Sequence, residues 1–247
     1  MTPTSPPDHF QPASADQELI FACHPGISCF TQCCRELDLA LTPYDVLRLK
    51  RRLQLSSGQF LDQYVIVEWD EEQTVPTCYL TMVDDGRASC VFVGQQGCSV
   101  YDDRPGSCRA YPVGRGAARS SNGFPVESLV LLNESHCLGF TGTSGQTTVR
   151  AYLRDQDLET YNRFNDALLP VVQHAAIQTG VFRPSRLQLD QYMLALYDLD
   201  GFRQEMASGR VALQRPLNSA QLAGLAGDDE QLFLLGIRWL LQEWFGE

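Results

Sequence analysis

At 247 residues the chain can form one large domain or two modest ones, with enough length to bury a core. Its apolar fraction of 44% is ordinary for a globular protein, while 30 acidic residues against 19 basic ones give a net charge of -11. That balance repels phosphate backbones and argues against nucleic acid as the main partner. No stretch is apolar enough to span a membrane, because the best candidate, Leu232–Leu241, is interrupted by Gly236 and Arg238.

Met1–Gln17 is polar, holds Pro3, Pro6, Pro7 and Pro12, and lacks the basic start and apolar centre of a secretory signal. It is expected to be a disordered leader, over 1–17, on a cytoplasmic protein. Thr42-Pro43-Tyr44-Asp45 predicts a capped helix start running to about Leu53, with Val46, Leu49 and Leu53 on one face. Ser57 then caps a shorter helix carrying Phe60, Leu61 and Tyr64. From Val75 the pattern turns to strands: Val75–Val83 and Ala88–Val93 flank the hairpin turn Asp84-Asp85-Gly86. Gln95-Gln96-Gly97 makes a second turn before Cys98–Tyr101, Asp103-Arg104-Pro105 opens a short helix that Pro112 ends, and Val126–Leu132 is one more strand.

Gly139–Gly145 is glycine-rich, has no phosphate-loop lysine and is expected to be a linker, with a boundary near 140–146. Helices follow near 147–156, 158–178, 187–208 and 229–245, the last with Leu232, Leu235, Trp239 and Leu240 among Phe233, Trp244 and Phe245. That apolar helix is expected to dock on its own domain, with a protein-partner surface as the alternative. The fold class expected is α+β: a small irregular cysteine-rich α+β metal-binding domain over 18–145, then a mainly helical C-terminal region over 146–247.

The nine cysteines run Cys23-x5-Cys29-x3-Cys33-Cys34, then Cys78, Cys90-x7-Cys98-x9-Cys108 and Cys137. In a reducing compartment such clustering points to metal thiolates rather than disulfides. Thiolates are soft ligands taken four at a time by zinc or an iron–sulfur cluster. Cys78, between Val75 and Leu80 in a strand, is expected to be core packing. The remaining eight would fill two four-sulfur sites, and equally a single cluster with spare thiols. Adjacent side chains diverge, so Cys33 and Cys34 need not serve one ion. His24 and His136 each adjoin a cysteine and are read as neighbours of the ligands more than as ligands. Arg35, Arg104 and Arg109 would offset the charge of a tetrathiolate centre or grip an anionic substrate; a local pair with Asp102 or Asp103 is the third reading. No Cys-x3-Cys-x2-Cys radical motif, ferredoxin run or Cys-x2-Cys pair is present.

The order Cys-Cys-Cys-Arg at 29–35, Leu-Thr-Pro-Tyr-Asp-Val-Leu-Arg-Leu at 41–49, and Gly-Cys-Ser-Val-Tyr-Asp-Asp-Arg-Pro-Gly-Ser-Cys-Arg-Ala-Tyr-Pro at 97–112 resembles the YkgJ-type cysteine-cluster family, described as zinc- or iron-chelating proteins. The resemblance spans 23–140 and implies metal ligands at Cys23, Cys29, Cys33, Cys34, Cys90, Cys98, Cys108 and Cys137. Two departures stand out: five residues separate Cys23 from Cys29 where the family has about two, and Leu138 follows Cys137 where the family has proline. Flagellin lysine N-methylase, a distant relative in that family, implies an alternative function, protein N-methyl transfer with S-adenosylmethionine beside an iron–sulfur cluster; no S-adenosylmethionine glycine motif is present. The leading expectation is a metal-binding protein holding an iron–sulfur cluster (four-iron favoured) or zinc, with a redox or metal-handling role. A thiol-redox sensor built on Cys33-Cys34 is a further alternative.

Overall fold

The computed structural model describes residues 10–70, 73–120, 122–142 and 145–247. Strands β1 (Phe10–Ala13) and β2 (Glu18–Ile20) lead to a one-turn 3-10 helix at Gln32–Cys34. Then come β3 (Ala40–Leu41), α1 (Pro43–Leu53), α2 (Ser57–Tyr64), β4 (Val65–Glu68) and β5 (Thr77–Leu80). The short strands β6 (Met82–Val83), β7 (Ser89–Cys90), β8 (Val93–Gly94) and β9 (Gly97–Cys98) precede α3 (Gly106–Ala110), β10 (Val113–Arg119), β11 (Pro125–Leu132) and β12 (Gln146–Thr148). Helices α4 (Val149–Asp155), α5 (Leu158–Ala167), α6 (Leu169–Val172), α7 (Ala175–Gln178), α8 (Arg186–Leu196), α9 (Leu199–Ala207), α10 (Ser219–Leu225) and α11 (Asp229–Phe245) complete the chain. The fold is α+β, with the helices concentrated toward the C-terminus.

The chain forms two compact units, passing between them after Leu39, Leu80 and Arg163. The first takes the described residues up to Leu39 together with Thr81–Arg163. Its main sheet is antiparallel in the order β1-β11-β10, and Phe10–Ala13, inside the stretch expected to be a leader, supplies an edge strand against Leu129–Leu132. Residues 1–9 of that stretch lie outside the described residues. Leu19, Phe21, Val113, Leu129, Leu131 and Val149 make the core of this unit. The expected hairpin forms as β6–β7, with Met82 opposite Cys90 and Val83 opposite Ser89; the Asp85 carboxylate accepts from the Arg87 and Ser89 amides across the turn.

The second unit takes Ala40–Leu80 and Phe164–Glu247. Helix α1 begins where the sequence predicts, with Thr42 and Asp45 closing a reciprocal capping box; α2 is capped by Ser56, one residue before the expected Ser57. The helix expected over 158–178 is three pieces, broken near Pro170 and again at His174, and 187–208 is two, because Asp198 caps α9 and restarts the turn. Tyr44 stacks on Phe164 at 4.4 Å, Phe164 meets Phe233 edge-on, and Leu232, Phe233, Trp239 and Leu240 bury one side of α11 in this unit. A charged network ties α1 to α9 and α11: the buried Lys50 ammonium lies 2.8 Å from Asp200 and 3.1 Å from Asp229, and Arg203 reaches both carboxylates. Among the described residues, no helix is long and apolar enough to cross a membrane.

Candidate metal centre

Eight of the nine cysteines lie in the first unit; Cys78, fully buried in β5, lies in the second beside Tyr197. No disulfide joins any of the nine. Burial pushes the Cys78 thiol up to about 12, and its full burial in the second unit suits a small core residue.

Cys23, Cys29, Cys33 and Cys137 line one narrow, partly open cavity together with Phe21, Tyr111 and His136. The chain reaches it from the end of β2: Phe21 turns into the core, packing edge-on against Tyr111, Phe140 and Tyr152, and Cys23 follows at the rim. The five residues between Cys23 and Cys29 are taken up by a tight turn, in which the Ile27 amide donates to the His24 carbonyl and the Gly26 amide to His24 Nδ1. That turn brings the two cysteines back to the same cavity despite the long spacer. From the other side Cys137 arrives after β11. Gly139, two residues on, leaves room for the Phe21 ring, with which a Cβ there would overlap.

The Leu138 amide donates to Cys29 Sγ at 3.2 Å, a hydrogen bond to sulfur that proline at 138 could not make. The Tyr111 hydroxyl oxygen is buried with no hydrogen bond of good geometry, and burial, then the closeness of Cys137 and Glu134, holds its pKa far above the ordinary phenol range. A buried O–H beside thiols is a donor that would suit an anionic sulfur centre. The residues therefore fit a thiolate-held metal.

A second set surrounds Cys34. The Thr31 and Glu36 backbones are left-handed (φ 65° and 51°), bracketing the 3-10 turn and sending residues 34–36 antiparallel to 88–90. Arg35 bridges Ser89, so Cys34 falls opposite Cys90, and the Glu36 amide donates to the Ala88 carbonyl. The β8–β9 hairpin, with Cys98 across from Val93, brings Cys98 within electrostatic reach of Cys90, and Cys108 on α3 is within reach of Cys34. Cys33 borders both sets, being close to Cys23 on one side and to Cys90 and Cys98 on the other.

Within the pair, the Cys34 thiol donates to Cys33, which lowers Cys33 to about 7 against the opposing effect of burial; Cys34 is raised correspondingly. Burial, chiefly, lifts Cys23 to about 11 and also raises Cys90 and Cys98.

The three arginines behave differently. Arg35 donates to the Thr31 carbonyl and hydroxyl, and its charge favours the Cys33 thiolate. Arg104 is buried, donates to the Tyr101 carbonyl and to Gln156, lies 3.9 Å over the Tyr101 ring, and favours the Cys98 thiolate. Arg109 is spent on the Gln156 and Asp102 carbonyls, a structural tie between α3 and the turn after α4. His24 is used in its own turn and His136 lies 3.7 Å from Glu134. Among the described residues, no group of three or more His, Cys, Asp or Glu side chains stands ready to hold a single metal ion.

Residues 22–137 match the family model CxxCxxCC, "Putative zinc- or iron-chelating domain". This stretch is a cysteine-cluster domain of that family. The matched stretch takes in all nine cysteines, from Cys23 to Cys137, and Cys23-x5-Cys29-x3-Cys33-Cys34 stretches both spacers of the pattern that gives the family its name. No curated protein and no solved structure matches the chain.

Proposed function

We propose that the chain is a metal-binding protein that holds an iron–sulfur cluster through its cysteine thiolates, in a reducing compartment such as the cytoplasm. One observation carries this reading: Cys23, Cys29 and Cys33 from one stretch of chain and Cys137 from another line a single cavity together with Tyr111. The donor set is all sulfur. Soft thiolates gathered in this way suit an iron–sulfur cluster. Bound there, an iron–sulfur cluster supplies one-electron chemistry. The chain's own residues would hold it and adjust it: the Leu138 amide and Tyr111 hydroxyl by hydrogen bonds to sulfur, Arg35 and Arg104 by charge.

The test is anaerobic purification of the full chain with metal analysis and a visible absorption spectrum. Iron with labile sulfide and a brown chromophore supports the reading. Stoichiometric zinc in a colourless protein ends the iron–sulfur part, and a folded protein that takes up neither metal ends it altogether.

A second reading, a thiol-redox device, has one specific observation behind it: the Cys33 thiolate is stabilised by its neighbour, Cys34. It requires reversible oxidation of this pair with no change in metal content.

A further inference from the structure

We infer that the eight thiols form two separate four-thiol centres, Cys23, Cys29, Cys33 and Cys137 in one and Cys34, Cys90, Cys98 and Cys108 in the other, with the Cys33–Cys34 peptide as their shared border. The inference rests on the thiolate metal-binding reading above and goes further by assigning each sulfur. The first four meet around one cavity, which Cys34, Cys90, Cys98 and Cys108 do not line. The second four are gathered by different backbone devices: the Arg35–Ser89 bridge sets Cys34 opposite Cys90, the β8–β9 hairpin carries Cys98, which is within electrostatic reach of Cys90, and α3 carries Cys108, which is within reach of Cys34.

Vicinal residues in a 3-10 turn point about a third of a turn apart, so the Gln32–Cys34 turn can aim its two sulfurs at different neighbours. A four-coordinate centre or a single cluster uses four thiolates and would leave the other four without a role. The two centres also differ in setting. Cys23 and Cys33 of the first are exposed at the cavity mouth, whereas each cysteine of the second is at least partly covered and the set lies beside the buried Arg104. The first is therefore the centre open to exchange and to solutes, and the second the one that fastens the 31–36 turn to the hairpin and α3.

The full chain, loaded anaerobically with iron and sulfide and separately with zinc, tests this through Cys29→Ser and Cys98→Ser. Each variant is expected to keep roughly half of the wild-type metal. Peptide mapping after iodoacetamide should show Cys34, Cys90, Cys98 and Cys108 still protected in Cys29→Ser, and Cys23, Cys29, Cys33 and Cys137 still protected in Cys98→Ser. Loss of all metal in both variants, or the same four cysteines protected in both, overturns the partition. Stepwise removal of metal from the wild-type chain with a chelator keeps the test independent of how the variants fold. Protection should be lost in two groups, the Cys23 set first; simultaneous loss of all eight overturns the proposal. A wild-type chain that never takes up metal would instead overturn the metal-binding reading itself, a different failure.

Discussion

Cys33 accepts a hydrogen bond from the thiol of Cys34, so two chemically identical neighbours carry opposite protonation preferences. In metal-free protein the Cys34 contact favours the Cys33 thiolate, while burial, first of all, holds Cys23 protonated. Cys34→Ala removes the donor and shifts the Cys33 titration upward, slowing its alkylation at neutral pH several-fold. Iodoacetamide rates read peptide by peptide between pH 6 and 10 check this; an unmoved Cys33 profile would refute it.

The amide of Leu138 is the second lever. Leu138→Pro deletes the N–H donated to Cys29 Sγ, while Leu138→Ala keeps it. Loss of a hydrogen bond to a ligand is expected to weaken metal retention about tenfold and to lower the reduction potential of an iron–sulfur centre. Metal competition and potentiometry on the two variants separate the backbone donor from the leucine side chain, and equal behaviour of the two rejects it.

Acid should loosen the second unit through Asp200. Burial alone would raise this carboxyl, but hydrogen bonds from Lys50 and Ser57 and the Lys50 charge outweigh it and hold it at about 2, and Asp229 is lowered as well. A folded-state value below the unfolded one adds stability above the ordinary carboxylate range, lost as pH falls from about 4 to about 2. Urea midpoints should drop across that window. Asp200→Asn should flatten the drop and cost about 2 kcal/mol at pH 7, since Lys50 keeps only Asp229.

Cys78 gives the opposite kind of prediction. Cys78→Ala should leave metal content unchanged and destabilise the second unit by about 1 kcal/mol, through the small void it opens beside Tyr197. Metal loss in that variant would place Cys78 among the ligands.

Legibility in the sequence varied with how local each signal is. The α1 start, the β6–β7 turn and the burial of Cys78 depend on residues within a few positions of each other, and each was readable. Strand β10 was not, because Val113-Gly-Arg-Gly-Ala-Ala-Arg119 has no apolar alternation. Its place comes from β11 beside it, where a Cβ on Gly114 would meet Val130 at 2.7 Å. The cysteines themselves stood out, but their grouping did not. It depends on left-handed backbone at Thr31 and Glu36, residue types that give no warning of it, and on a bridge from Arg35 to a serine 54 positions away. The orphaned Tyr111 hydroxyl was equally hidden, since only burial makes an unpaired O–H informative.

The interleaving of the two units also bears on where the polypeptide can be cut. The stretch that marks the family, 22–137, carries β3, α1, α2, β4 and β5 but not Phe164–Glu247, the rest of their unit. Tyr44 loses its stacking partner Phe164, the Leu41 carbonyl loses the Tyr197 hydroxyl, and Lys50 loses both of its counterions. Excised on its own, the recognisable domain would carry a raw apolar face and a stranded ammonium through its middle. What sequence comparison marks as one domain combines, for this chain, residues of the cysteine unit with the Ala40–Leu80 segment of the other.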